Sequence, residues 1–316
     1  MKKLLTMIAV AVIGITSVFG FTACSKKSAG ADKVKLINVA LGDEDYAFAM
    51  KKDNTSLQTS FNAYLTEIKN NGKFAEILAK YFENKGTKVG YNYAGDGSGS
   101  NAGEATGEGK FVVATNAPFS PFEYVENGKI YGVDMEIAAG YAEKHNLKLV
   151  IKNIDFDSIL PSLDAGYADM GMAGMTVTPE RAAYAFTDTY YKASLNVIVA
   201  ADNKDFDECT TQAQVEAVLQ SLTGKKIGFQ TGTTSRDYIE GFANIQGKGY
   251  DTAALAVNDV INGNIYAVIV DNAPAAAIVK SYNVKIYRNE NNQVNFPQEY
   301  FCGKFARKRK LYGLVA

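Results

Sequence analysis

The chain of 316 residues is 47% hydrophobic and 21% charged, which supplies one large or two modest globular cores and excludes a disordered, highly charged chain. With 33 Lys and Arg interspersed among 34 Asp and Glu, it has no electrostatic footprint for nucleic acid, and a neutral or zwitterionic small molecule is the better partner. One His, three Cys and no Cys/His/Asp cluster at ligand spacing argue against a metal centre, a disulfide scaffold and a Ser–His or Cys–His nucleophile, and no cofactor is expected.

Met1-Lys2-Lys3 and the apolar run from Leu4 to about Phe21 form the charged n-region and the h-region of an export signal. Phe21-Thr22-Ala23-Cys24-Ser25 then resembles a bacterial lipoprotein processing box, with Phe21 where Leu is usual. The expectation is a signal peptide over 1–23, lipidation of Cys24 and a tether over 24–33. Acyl chains buried at about 0.8 kcal/mol per CH₂ would hold the protein to a membrane outside the cytoplasm. An unlipidated signal peptide or an N-terminal membrane anchor is the alternative. No later apolar run is long enough to span a bilayer. Cys209 and Cys302 are left as one bridge or, preferably, as two unrelated thiols.

The segment 34–85 reads as a strand, Tyr46 to Met50, followed by two amphipathic helices with Leu57, Phe61, Tyr64, Leu65 and Ile68, then Phe74, Ile77, Leu78, Tyr81 and Phe82, at helical spacing. It is too small to bury its own apolar stripe and must pack on something else. Residues 86–109, rich in Gly, Ser, Asn and Ala, read as a flexible linker spanning on the order of 25 Å. From Phe111 strands and helices alternate, which predicts α/β sheets with parallel pairing: strands at 111–115, 147–151, 168–173, 195–200, 226–230 and 266–270, helices at 134–144, 158–163, from about 235, at 253–260 and after Pro274. His145 closes the helix before it, where a base suits the C-terminus.

Gly174-Met175-Thr176-Val177-Thr178-Pro179-Glu180-Arg181 carries the most chemistry. Thr178 can cap a helix with Pro179 at its first position, so Arg181 would leave the first turn beside unpaired N–H groups, a geometry that suits an anion. For the octet alone, a plain helix start with a solvated Arg is the competing reading.

Five motifs in order decide between them: Ala114-Thr115-Asn116-Ala117-Pro118-Phe119 with Pro121-Phe122-Glu123-Tyr124, Gly132-Val133-Asp134-Met135-Glu136, the octet, Gly228-Phe229-Gln230-Thr231-Gly232-Thr233-Thr234, and Val270-Asp271. Residues 111–281 thereby resemble the periplasmic amino-acid-binding receptors of ABC importers, solute-binding protein family 3, in their glutamine- and histidine-type branch. The resemblance implies a two-lobed periplasmic-binding-protein fold of class α/β, with a mixed sheet in each lobe (110–199 and 200–283) and a cleft at the hinge. It implies a monomeric receptor that makes and breaks no bond and hands a free L-amino acid to a membrane permease. Carried over by position, Arg181 clamps the α-carboxylate bidentately, as Lys could not. Thr176, the Gly174 backbone and Thr234 help it, Asp271 takes the α-ammonium, and Phe119 and Phe156 flank the side chain. Asn116 stands where binders of cationic side chains commonly carry Asp, and Gln230 stands at a side-chain-contacting position. Together they predict a neutral ligand side chain. A cyclohexadienyl-dehydratase-like enzyme on the same fold is the alternative, and it would need a general acid beyond Asp271.

The order of the pieces departs from the family. Val34 to Phe82 resembles the return strand and closing helices that usually come last, while Val284-Lys285-Ile286 and Glu299-Tyr300-Phe301-Cys302-Gly303-Lys304-Phe305-Ala306, within 284–316, look like a diverged second copy of the strand. Either the receptor is circularly permuted, with 34–85 completing lobe 1, or the chain is the degenerate remnant of a tandem pair. Docking is favoured because stripe and uncovered lobe satisfy each other, and Ala47–Lys51 should outcompete the Lys- and Arg-rich second copy for the hinge.

Overall fold

The computed structural model describes residues 28–29, 32–95, 97, 109–283, 286–288 and 294–295. The expected export signal, Cys24, Glu299–Ala306 and Cys302 lie outside them. Asp32–Val284 is one compact unit. A second unit contributes a small antiparallel sheet in which Ile286–Arg288 lies between Ser28–Ala29 and Val294–Asn295.

Two five-stranded sheets organise the compact unit. In lobe 1 the order is Lys148–Asn153, Lys110–Thr115, Met170–Gly171, Ala49–Lys51, Tyr184–Phe186; the first three run parallel and Ala49–Lys51 is antiparallel to both neighbours. In lobe 2 it is Gln246–Tyr250, Lys226–Gln230, Ala267–Asp271, Tyr191–Ala200, Val34–Tyr46, with the last two antiparallel to each other and Tyr191–Ala200 antiparallel to Ala267–Asp271. Both sheets are therefore mixed. The strand at 168–173 shrinks to Met170–Gly171, because Gly174 at φ +54 turns the chain away. The exposed strand Gln246–Tyr250, with two glycines and no apolar alternation, gave no period to read.

The first segment builds on both lobes rather than on lobe 1 alone. Its strand begins at Val34, well before the expected Tyr46, and Ile37, Val39 and Leu41 enter the core of lobe 2 beside Val197 and Phe229. The chain then crosses to lobe 1 as Ala49–Lys51, and Tyr184–Phe186 crosses back as Tyr191–Ala200. These two crossings are paired, Tyr190 N–H to Tyr46 carbonyl at 2.9 Å and Thr187 N–H to Phe48 carbonyl at 3.0 Å, and they form the hinge.

Helices Thr55–Asn70 and Lys73–Phe82 follow, the first capped by the Asn54 side chain on Leu57 N–H. Phe61, Tyr64, Leu65 and Ile68 face inward at helical spacing, and Phe61 meets Tyr141 at 4.5 Å and Phe111 at 6.1 Å between ring centroids. Part of the segment read as free linker is pinned too. Tyr91 exchanges both backbone hydrogen bonds with Ile130, and Ala94 bonds Ile151 and Asn153 along the open edge of Lys148–Asn153.

Lys80 and Tyr81 both bond the Glu136 carboxylate, each at 2.8 Å, in a nearly buried cluster that fixes the second helix on Val133–Lys144. Lys80→Met is expected to cost about 2–3 kcal/mol, below the ~3–5 of a fully buried broken pair because Tyr81 still donates. In chemical denaturation, adding Glu136→Met should restore most of the loss; no recovery would mean that the pair is not what holds the helix.

Candidate ligand-binding site

The Pro179–Arg181 turn is a single 3₁₀ turn rather than the start of an α-helix, and the Thr178 side chain makes no cap. Arg181 is nevertheless held in place. Its Nη1 donates to the Thr176 carbonyl at 2.6 Å and its Nη2 to the Gly232 carbonyl of lobe 2 at 3.0 Å, while the guanidinium carbon lies 5.7 Å from the centre of the Phe156 ring. Burial lowers its pKa, and the carboxylates of Glu44, Asp237 and Asp271 oppose that loss.

Opposite stands Asp271, 6% exposed, at the end of the buried strand Ala267–Asp271, where open α/β sheets hold ligands. Thr234 opens the seven-residue helix Thr234–Glu240 on the same lobe. Gln230 Nε2 donates across the cleft to Asn116 Oδ1 at 2.8 Å, and Asn116 Nδ2 donates to the Ile154 carbonyl at 2.6 Å. With Arg181 on Gly232, this contact draws the lobes into a closed arrangement.

One expected role changes. The Gly174 N–H, expected to help the clamp, is committed to Asp134 Oδ2 at 3.1 Å, and Asp134 also accepts from Tyr190 at 2.7 Å, so Asp134 is a bracket under the octet. A Cβ on Gly174 would lie 2.7 Å from the Phe119 ring and 3.1 Å from that of Tyr46, which is why Gly stands there. Phe119, 8% exposed, packs on Phe122 and Tyr46, while Phe156 is half-buried.

Glu44 and Tyr46 were missed. Period-two alternation from Ile37, Val39 and Leu41 would point both outward. Instead Leu41 opposes Leu195 while Glu44 opposes Ala193, a bulge at Gly42–Asp43 with Gly42 at φ +67. The extra residue flips the face and buries both side chains at the cleft. Thr176 Oγ1 donates to Glu44 Oε2, and burial raises the Glu44 pKa against the pull of Thr176, Thr234 and the Arg181 charge. A Gly-Asp pair inside an alternating strand was the available signal.

A small, partly open space of about 70 Å³ lies at the mouth, lined by Asp155, Phe156, Asp157, Thr231 and Asp251. A wider open groove of about 550 Å³ shares only Arg181 with the constellation.

Burial and the neighbouring Glu44 charge push Asp271 up to about 7, and burial does the same to Asp134 against its hydrogen bonds to Tyr190 and Gly174. Folded carboxyls raised from 3.8 bind protons that the unfolded chain has released between about pH 4 and 7, so stability is greatest at low pH in that window and is lost as pH rises through 7. The melting temperature should therefore rise from pH 8 to pH 5.5, and Asp271→Asn should flatten the rise. A flat wild-type profile would refute the sign.

The sequence profile of the bacterial extracellular solute-binding proteins, family 3, matches residues 111–299, more than half of the chain. The chain belongs to that family. The matched region runs through both lobes, and Val34–Glu83 stands outside it. The arginine-binding extracellular protein ArtP of Bacillus subtilis (strain 168) is 32% identical over 139 residues, 44% of this chain and 50% of that one. The structure of an ancestral arginine-binding protein bound to arginine is 35% identical, covering 55% of this chain and 75% of that one at a TM-score of 0.50. The same kind of ancestral protein bound to glutamine is 34% identical, covering 60% and 78%, also at 0.50. This family 3 chain spans half to two thirds of the length of the curated relatives it matches. No helix among the described residues is long and apolar enough to cross a membrane.

Proposed function

We propose that this chain is an extracytoplasmic receptor that closes two lobes on a free L-amino acid and delivers it to an ABC permease without making or breaking a bond. The observation that carries this is the convergence of Arg181 and Thr176 from lobe 1 with Thr234 and Asp271 from lobe 2. A guanidinium and two hydroxyls suit a carboxylate, and the buried Asp271 suits an ammonium, so the pair reads the zwitterion common to amino acids. Phe119, Phe156, Asn116 and Gln230 then border the side chain, with the Gly174 turn shaping the floor. Asp155, Asp157 and Asp251 at the mouth, together with arginine-binding relatives, support a cationic side chain in place of the neutral one read from Asn116.

In this reading Cys24 carries a lipid that anchors a monomer to the outer face of a membrane, after removal of the signal peptide 1–23. Val34–Glu83 is the family's terminal segment placed first by circular permutation, with residues up to about 109 joining the old ends. Its occupation of the hinge and its packing on lobe 1 support that reading. Calorimetric titration with the twenty common amino acids tests the receptor role: L-arginine should bind best, and binding of none would sink it. Mass spectrometry of the membrane-extracted protein tests Cys24 as a diacylated N-terminus.

A further inference from the structure

Glu44 is the one acidic side chain of the first segment that reaches the carboxylate clamp, and it is 6% exposed there. Its placement is built from the backbone. The bulge at Gly42–Asp43 turns it inward, and the chain beyond it is pinned to the octet on both sides of Thr176, Val177 N–H to Asp45 carbonyl at 3.1 Å and Ala47 N–H to Met175 carbonyl at 2.9 Å. Its Oε2 accepts from Thr176 Oγ1, and the Thr234 side chain and the Arg181 charge favour its ionised form against the Asp237 charge; Thr176, Thr234 and Arg181 are the set that the receptor reading gives to the ligand α-carboxylate. A buried carboxylate requires such partners, and one set of donors cannot serve two carboxylates at once.

We propose that Glu44 is an internal mimic of the ligand carboxylate: it seats itself in the clamp and an incoming amino acid must displace it to bind. The proposal rests on the receptor reading of the same site. Glu44 holds the clamp shut by competing intramolecularly, and the apparent affinity falls by the fraction of time the clamp is open. A clamp open one tenth of the time weakens binding roughly tenfold. A ligand with an ammonium but no carboxylate meets Asp271 without evicting Glu44, so removing Glu44 brings it no relief and takes away a nearby negative charge.

The test is calorimetric titration of the wild-type full chain, Glu44→Gln and Glu44→Ala with L-arginine, L-glutamine and agmatine, which is arginine without its carboxylate. Thermal melts establish that each variant is folded, and the isosteric Glu44→Gln decides if Glu44→Ala is not. The expected result, at pH 8 where Asp271 is ionised in all three chains, is an amino-acid affinity raised about tenfold or more in the variants, with that for agmatine unchanged or lower. Amino-acid binding that is unchanged or weakened by both substitutions overturns the mimic while leaving the receptor standing. An equal gain for agmatine also overturns it, since the effect would not concern a carboxylate. Binding of neither amino acid by any of the three chains overturns the receptor reading and the mimic together.

Discussion

Arg181→Ala is expected to weaken amino-acid binding by roughly 30-fold to several thousand-fold, the equivalent of about 2–5 kcal/mol for removing one member of a desolvated, hydrogen-bonded charge pair. The size follows from what is left behind. Without the guanidinium, a ligand carboxylate in the clamp would face Thr176 and Thr234 but also Asp271 and Asp237, with no positive charge to offset them. Arg181→Lys should recover little, because the two bonds to the Thr176 and Gly232 carbonyls use separate nitrogens of a planar fork, and an ammonium cannot reach both while facing a ligand. The second of these bonds crosses the cleft, so the variant should also close less readily. Titration of the two variants with L-arginine reads the effect, and an affinity within threefold of wild type for Arg181→Ala would remove Arg181 from the clamp. Asp271→Asn is the useful companion: it removes the proposed ammonium partner while retaining the shape of the cleft.

Much of this site was legible in the chain because its parts are local motifs. With the family resemblance, Gly174 to Arg181 marked the candidate carboxylate subsite, and the apolar run ending at Asp271 marked the strand end where the proposed ammonium partner stands, because a residue at the end of a buried strand inherits its address from the strand. The alternation of strands and helices from Phe111 likewise gave most elements of both lobes. What escaped depended on register. Glu44 reaches the cleft only because one extra residue at Gly42–Asp43 reverses the face of the strand, and alternation read without that bulge aims it at solvent. The expected strand at Tyr46–Met50 was in fact the crossing point between two sheets, since hydrophobicity peaks where the chain is buried by both lobes and fades along the half-exposed portion before it. Gly174 shows the same limit: its place in the octet was readable, but the commitment of its N–H to Asp134 required the fold.

Phe61→Ala is expected to cost about 3–5 kcal/mol, among the largest effects of any single truncation in the first segment. Phe61 is fully buried and its ring meets those of Phe48 and Tyr64 within the segment and of Phe111 and Tyr141 in lobe 1. At about 2–4 °C per kcal/mol for a unit of this size, the melting temperature should fall by roughly 6–20 °C. The measurement separates the two accounts of the chain's order. If the segment docks on lobe 1 in the folded protein, Phe61→Ala and Phe111→Ala share one cluster, and a double-mutant cycle should return a coupling of about 0.5–1.5 kcal/mol. If the segment is instead a surplus copy and the second strand copy serves the hinge, Phe61→Ala should cost under about 0.5 kcal/mol, as surface substitutions do, and the cycle should return zero. The consequence reaches the clamp. Glu44 and Tyr46 are carried by the strand that leads directly into these helices, so loosening the helices should also loosen the hinge, and amino-acid affinity should change in Phe61→Ala although Phe61 lies among core rings and not among the clamp residues.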